Sequence, residues 1–140
     1  MKRIYFYEPE TKASMCHILM NGKTIEGFAQ CHPDDFPYES ELIGLCIAEV
    51  RAEVNALREI RDNELIPSIK ILTHLQNNMQ SSKYYNPKSY EARMLRRQIR
   101  IKEAELQAIR EEIKTLQEHI RNYIAEKDKL HAQINNGQKT

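Results

Sequence analysis

Tryptophan is absent from this chain, and glycine occurs only four times, proline five and cysteine three in 140 residues. With 29% charged residues beside so little glycine, the composition leans towards long helices and away from a β-sandwich. There is no run of about 18 apolar residues, so no membrane span is expected. Nor does one sign of charge dominate. The formal net charge is +1, which excludes a generic nucleic-acid binder and leaves only local charge effects. The start, Met1–Tyr7, lacks the length and the small-residue cleavage site of a signal peptide. A cytoplasmic protein of one domain, residues 1–140, is expected.

The cysteines, Cys16, Cys31 and Cys46, are odd in number and form no CxxC, which points to reduced thiols. Cys16-His17 and Cys31-His32 invite a zinc reading. Successive strand residues point to opposite faces, however, so each Cys aims away from its His, and no metal site is expected. GxGxxG, GxxxxGK[ST], HExxH and GxSxG are all missing. Asp34-Asp35, beside prolines, reads as a helix cap. His32, His74, His119 and His131 are dispersed, so no catalytic constellation is expected and no cofactor is implied.

The first third of the chain reads as strands. Lys2–Glu8 carries Ile4, Tyr5, Phe6 and Tyr7, and Pro9 to Lys12 breaks it. Ser14–Met20 and Lys23–Cys31 flank Asn21-Gly22, a strong hairpin signal because both turn residues need positive φ. That turn pairs Ile18 with Ile25, and puts Cys16, Met20, Ala29 and Cys31 on one face with Leu19 and Phe28 on the other. His32–Pro37 turns the chain. Pro37 and the acids Asp34, Asp35, Glu39 and Glu41 suit a helix N-terminus. Helical spacing follows at Leu42, Leu45, Cys46, Val50 or Glu49, Val54 or Glu53, Leu57 and Ile60. Pro67 either kinks this helix or opens a second one over Ser68–Met79.

Ser89 to Asn135 holds neither Gly nor Pro. Leu95, Ile99, Lys102, Leu106, Ile109, Ile113, Leu116, Ile120, Tyr123, Lys127, Leu130 and Ile134 step by alternating 4 and 3. This heptad seam predicts left-handed helix pairing. At 1.5 Å per residue the helix would run about 70 Å, against about 30 Å for a compact globule of this size. The seam therefore needs the upstream helix, another subunit, or both. The expected fold class is α+β. A small N-terminal antiparallel three-stranded sheet (1–36) is followed by two long helices, 38–79 with a Pro67 kink and 89–135. The helices form an antiparallel coiled-coil-like hairpin around the polar loop 80–88. The tail 136–140 is expected to be disordered, and the chain oligomeric.

One charge bias remains. Residues 83–102 hold Lys83, Lys88, Arg93, Arg96, Arg97, Arg100 and Lys102 against the single acid Glu91, a local charge of +6. Arg93, Arg97 and Arg100 share a helix face, with Arg96 on its edge. Tyr84, Tyr85, Asn86 and Tyr90 lie close in sequence. Guanidinium forks grip phosphates and phenol rings stack on bases, so the segment suits a nucleotide or a single strand. It equally suits a solvated coiled-coil flank whose arginines pair with the acids of the upstream helix, Glu39, Glu41, Glu49, Glu53 and Glu59.

Gly27-Phe-Ala29-Gln-Cys31-His-Pro33-Asp-Asp35-Phe36, followed by Gly44, Ile47-Ala48 and Arg51-Ala52, resembles a pattern found in small phage proteins. With the long helices that follow, the chain resembles the first family of phage Thoeris anti-defence proteins. The resemblance implies a nucleotide sponge. Such a protein holds the cyclic ADP-ribose signal made by a bacterial TIR-domain enzyme, and in some members cyclic oligonucleotides at a separate site, so that the downstream effector stays silent. It also implies a homo-oligomer, either a dimer or a dimer-based assembly, in the host cytoplasm. The motif spans Gly27 to Ala52, and beyond it only the architecture agrees. Gly27, Ala29 and Gly44 have a packing account as well, namely close approach of a helix. Only Arg51 has none, so it joins the expected ligand-binding set: Arg51, Tyr84, Tyr85, Asn86, Tyr90, Arg93, Arg96, Arg97 and Arg100. Polymeric nucleic acid is not expected as the partner. The rival readings are an adaptor coiled coil, a single-strand binder, and an inhibitor that grips an immune effector directly.

Overall fold

The computed structural model of the chain describes residues 2–30 and 41–138, without the side chains of 130, 131 and 134–138. Cys31, His32, the turn through Pro37, and Asp34, Asp35 and Glu39 lie outside the described residues, as do the side chains of Leu130, His131 and Ile134. The fold is α+β, a three-stranded antiparallel sheet followed by helices. The strands β1 (Lys2–Glu8), β2 (Ala13–Met20) and β3 (Lys23–Gln30) lie in sequence order. Helical backbone then runs from Glu41 to Gln80 as α1 (Glu41–Ile60), a π-turn (Arg61–Leu65) and α2 (Ile66–Gln80), and α3 (Tyr90–Gln138) follows. The chain forms two compact units, one of residues 1–56 with 113–140 and the other of residues 57–112.

In the first unit the β2–β3 turn fixes the sheet. Asn21 and Gly22 both have positive φ, 51° and 75°, the geometry that matches the strand twist. Ile18 therefore faces Ile25, and Cys16 faces Gly27. One sheet face carries the buried Ser14, Cys16, Ile18, Met20 and Ala29, and α1 packs on it. A Cβ on Gly27 would sit 2.8 Å from Ala52 Cα and closer still to the Ala48 carbonyl oxygen and the Ala52 amide nitrogen. Glycine is thus what lets helix backbone touch strand backbone. Gly44 stands over the Ser14 side chain in the same way. On the opposite sheet face, the register aligns Phe6, Met15 and Phe28 in one row. Phe6 and Phe28 are about half exposed there.

The buried residues of α1 are Ile47, Ala48, Val50, Ala52, Val54 and Ala56. Steps of two lie on opposite sides of a helix, so α1 is covered on two sides. Ala48 and Ala52 meet the sheet, while Ile47, Val50 and Val54 line the other side. Of the expected stripe, Val50 and Val54 are buried and Leu45, Cys46, Leu57 and Ile60 half-buried, whereas Leu42 is 72% exposed, and the alanine side was not expected. In the same unit Cys46 adjoins Tyr123 of α3, and the contact raises the Tyr123 hydroxyl above its ordinary pKa. At the β1 edge, Arg3 Nη1 reaches Glu53 Oε1 at 2.5 Å and Glu49 Oε1 at 3.1 Å. The Tyr5 hydroxyl donates to Glu49.

Burial pushes the Cys16 thiol up, with the Glu49 charge adding to it. A proton held more tightly in the folded state stabilises the fold below the ordinary thiol pKa. That stability is lost as pH rises from about 8.5 through the raised folded value. The unfolding free energy from urea titrations is therefore expected to fall between pH 7.5 and 9.5, by no more than about 1.4 kcal/mol per pH unit, and Cys16→Ala should flatten the slope.

Pro67 neither ends the helix nor opens a separate one. It has no N–H to give the ladder, and its ring would crowd the carbonyl four residues back. The chain widens just before it, with the Ile66 N–H bonded to the Arg61 carbonyl five residues back. Ser68 Oγ donates to the Glu64 carbonyl at 2.6 Å. At the other end of the chain, α3 continues through Gln138, beyond the boundary expected at Asn135. Every described seam position from Leu95 to Lys127 is buried or half-buried. The other positions of that stretch are exposed, apart from Arg96 and Gln117.

Candidate functional site

The second unit carries the basic segment. Its loop, residues 81–89, is built from short polar bonds. Tyr84 N–H donates to Ser82 Oγ at 3.2 Å, and Lys88 N–H to Asn86 Oδ1 at 2.9 Å. Ser89 then caps α3, its Oγ accepting the Ala92 N–H at 3.2 Å, which supplies one of the partners a helix start lacks. Arg96 reaches back along α3, and its Nη2 donates to the Pro87 carbonyl at 2.7 Å. That bond ties loop to helix and accounts for Arg96 being less exposed than Arg93, Arg97 and Arg100.

Arg93, Arg96, Arg97 and Arg100 line one concavity of about 490 Å³, with Ile101 as its apolar wall. Four guanidinium groups within two helical turns repel one another unless anions lie near. Among the described residues, no carboxylate forms an ion pair with any of the four. Glu49 and Glu53 are engaged by Arg3. The concavity is of a size that small-molecule sites have, roughly 300–1,000 Å³.

The structure assembles the four arginines and places the aromatic residues on the adjoining loop and helix start. Tyr84 is 83% exposed, with Lys83 Nζ 5.1 Å from its ring centre. Tyr90 is exposed at the first position of α3, and Tyr85 is half-buried. Asn86 uses its carbonyl oxygen in its own turn, so its Nδ2 donors are what it can offer a ligand.

Arg51 belongs to the first unit. It was expected to have no packing role, and the structure corrects this. Its Nη1 donates to the Phe28 carbonyl at 2.7 Å, and Asn55 Nδ2 donates to the Glu26 carbonyl at 2.8 Å. The two residues, one helical turn apart, cap alternate carbonyls on the outer edge of β3, an edge that would otherwise offer itself to another strand. Arg51→Ala and Asn55→Ala are each expected to cost about 1 kcal/mol of stability, read from urea midpoints.

Among the described residues, no three His, Cys, Asp or Glu side chains gather as a metal site, and no helix is long and apolar enough to cross a membrane. No protein-family model, curated protein or solved structure matches the chain.

Proposed function

We propose that this chain binds and sequesters a small phosphorylated cyclic nucleotide of the cyclic ADP-ribose type, and thereby keeps a bacterial Thoeris-type defence from being activated. The observation that carries this reading is the set of four arginines on one concavity, without carboxylate partners among the described residues. Arg93, Arg97 and Arg100 face the phosphates, while Arg96 holds the loop. Tyr84 or Tyr90 stacks on the adenine, and Asn86 donates to base or ribose. Sequestration needs slow release and no acid–base chemistry, and several simultaneous contacts supply that. The site of action is the host cytoplasm.

The same proposal includes a homo-oligomer with paired long helices. Its support is α2, which has no buried residue although Ile71 and Leu75 are 62% and 49% exposed. In its 15 residues α2 carries a single formal charge, Lys70. Depletion of charge is the compositional mark of a contact surface.

A thermal-shift screen of cyclic ADP-ribose isomers and cyclic di- and trinucleotides tests the reading. A tight ligand raises the melting temperature by mass action. Affinity that grows with oligonucleotide length and falls steeply with salt would point to single-strand binding instead. A stable helical dimer that no nucleotide shifts would point to an adaptor.

A further inference from the structure

The two edges of the sheet are finished differently. Met20 and Lys23 close the two-residue turn at Asn21-Gly22, so they exchange both backbone hydrogen bonds. Bonding alternates from there along each strand. Even-numbered residues of β2 bond to β3, and odd-numbered ones to β1. The carbonyls of Glu26 and Phe28 therefore point outward from β3, and these are the two that Asn55 and Arg51 take. By the same alternation β1 turns the N–H and C=O of Arg3 and Tyr5 to its own outer edge. Among the described residues, β1 has a strand beside it on one side only, and it is exposed along most of its length. Its register with β2 is continuous, so it lacks the bulge or proline that often blunts an edge.

The sequence of β1 is self-complementary about Tyr5. In an antiparallel pair with its two-fold axis at Tyr5, Lys2 lies opposite the partner's Glu8, and Ile4 opposite the partner's Phe6. Arg3 already has its carboxylates, Glu53 at 2.5 Å and Glu49 at 3.1 Å. The charges to be matched across the axis are thus Lys2 and Glu8. Glu8 Oε1 accepts the Glu10 N–H at 3.0 Å, which keeps that carboxylate at the end of the strand. Opposite charges and aromatic–β-branched pairs are what stabilise facing strands. On the outer face, the row of Phe28, Met15 and Phe6 continues onto the partner's Ile4. An axis at Ile4 would set Lys2 against Phe6, and one at Phe6 would set Glu8 against Ile4, so charge selects the axis at Tyr5.

We infer that the outer edge of β1 is an interface for a second copy of this chain. The two β1 strands join antiparallel about Tyr5, the two Tyr5 residues exchange both backbone bonds, and the two sheets merge into one. The contact is isologous. Main-chain bonds hold it, and side chains set its register. It gives the proposed homo-oligomer a sheet contact that does not depend on α2.

The test is disulfide trapping in the full-length chain. Ile4→Cys and Phe6→Cys proteins are mixed and oxidised gently. These facing positions lie about 4.5 Å apart at Cα, within disulfide reach, whereas the two Ile4 positions lie about 8 Å apart, beyond it. The mixed disulfide is expected in at least about tenfold excess over either like disulfide. Lys2→Glu in both proteins should cut the mixed product at least about fivefold, and Lys2→Glu with Glu8→Lys in both should restore it. Within one protomer Lys2 and Glu8 are about 20 Å apart along the strand, so recovery reports contact across the axis. Both are exposed, so the charge variants should keep the parent's melting temperature. Like disulfides as abundant as the mixed one, no mixed product (the edge then being left to a strand of another protein), or no recovery with the exchanged charges would each overturn the inference. The disulfide reads β1 alone, so a failure of α2 pairing or of nucleotide capture leaves its result unchanged.

Discussion

Replacing Arg93, Arg97 and Arg100 together by Gln is expected to weaken nucleotide capture by at least about 10³-fold, measured by calorimetry. A charge-assisted hydrogen bond contributes about 1.5–3 kcal/mol, and each 1.4 kcal/mol is a factor of ten in affinity. Three such bonds, discounted for non-additivity within one cluster, still give three decades. The variant spares Arg96, whose bond to the Pro87 carbonyl holds the loop. Folding should also be intact, because Arg93, Arg97 and Arg100 are exposed. Removing three like charges from two helical turns should if anything raise the melting temperature of the empty protein. Weakened capture with unchanged or increased stability separates a binding role from a structural one.

Gly27→Ala is expected to cost about 3 kcal/mol or more, a drop of roughly 10 °C in melting temperature for a chain of this size. A single methyl group seldom has such an effect. Here it would fall against the Ala48 carbonyl oxygen and the Ala52 amide nitrogen, both backbone atoms. A flexible side chain can swing away, but helix backbone cannot. The whole of α1 would have to lift from the sheet, opening the layer that buries Cys16 and Ile18. Gly22→Ala makes an informative contrast. Nothing lies within 4 Å of its Cβ position, and its cost comes only from a φ of 75°. It should be the milder of the two, at about 1 kcal/mol.

These two sites differ in how legible they were in the sequence. Asn21-Gly22 announced the hairpin, and a hairpin turn fixes the register of its strands. The pairing of Ile18 with Ile25 and of Cys16 with Gly27 followed from it and is observed. The 3–4 spacing on α3 was equally readable, because a long helix repeats the same signal many times. On α1 only the side of Val50 and Val54 was readable, and the side that meets the sheet was not. Ala48, Ala52 and Ala56 carry little hydrophobic signal, yet they are what a close helix–sheet contact requires. Burial on two opposite sides also leaves no single stripe to detect. Glycines at 27 and 44 hinted at that contact, and alanines spaced by four would have completed the signal.

Pro67 shows another limit. A proline in a helical pattern announces a lost hydrogen bond. It does not say whether the chain breaks, kinks or widens, because the compensating bond from Ile66 to Arg61 is made by backbone alone. Arg51 was misread for a related reason, since an uncapped carbonyl on an edge strand has no signature in side-chain chemistry. For the arginine cluster, spacing alone put Arg93, Arg97 and Arg100 on one face. Whether carboxylates neutralise them depends on contacts that spacing does not reveal.

Binding of a phosphorylated small molecule by the arginines of α3 underlies the proposed function. It is tested most directly by producing the protein alongside a TIR-domain signalling enzyme, denaturing it, and identifying what is released by mass spectrometry. An intact cyclic ADP-ribose-type nucleotide is expected at close to one per protomer, and none from the Arg93, Arg97 and Arg100 triple variant. Release of no nucleotide, or an equal yield from the triple variant, would contradict it.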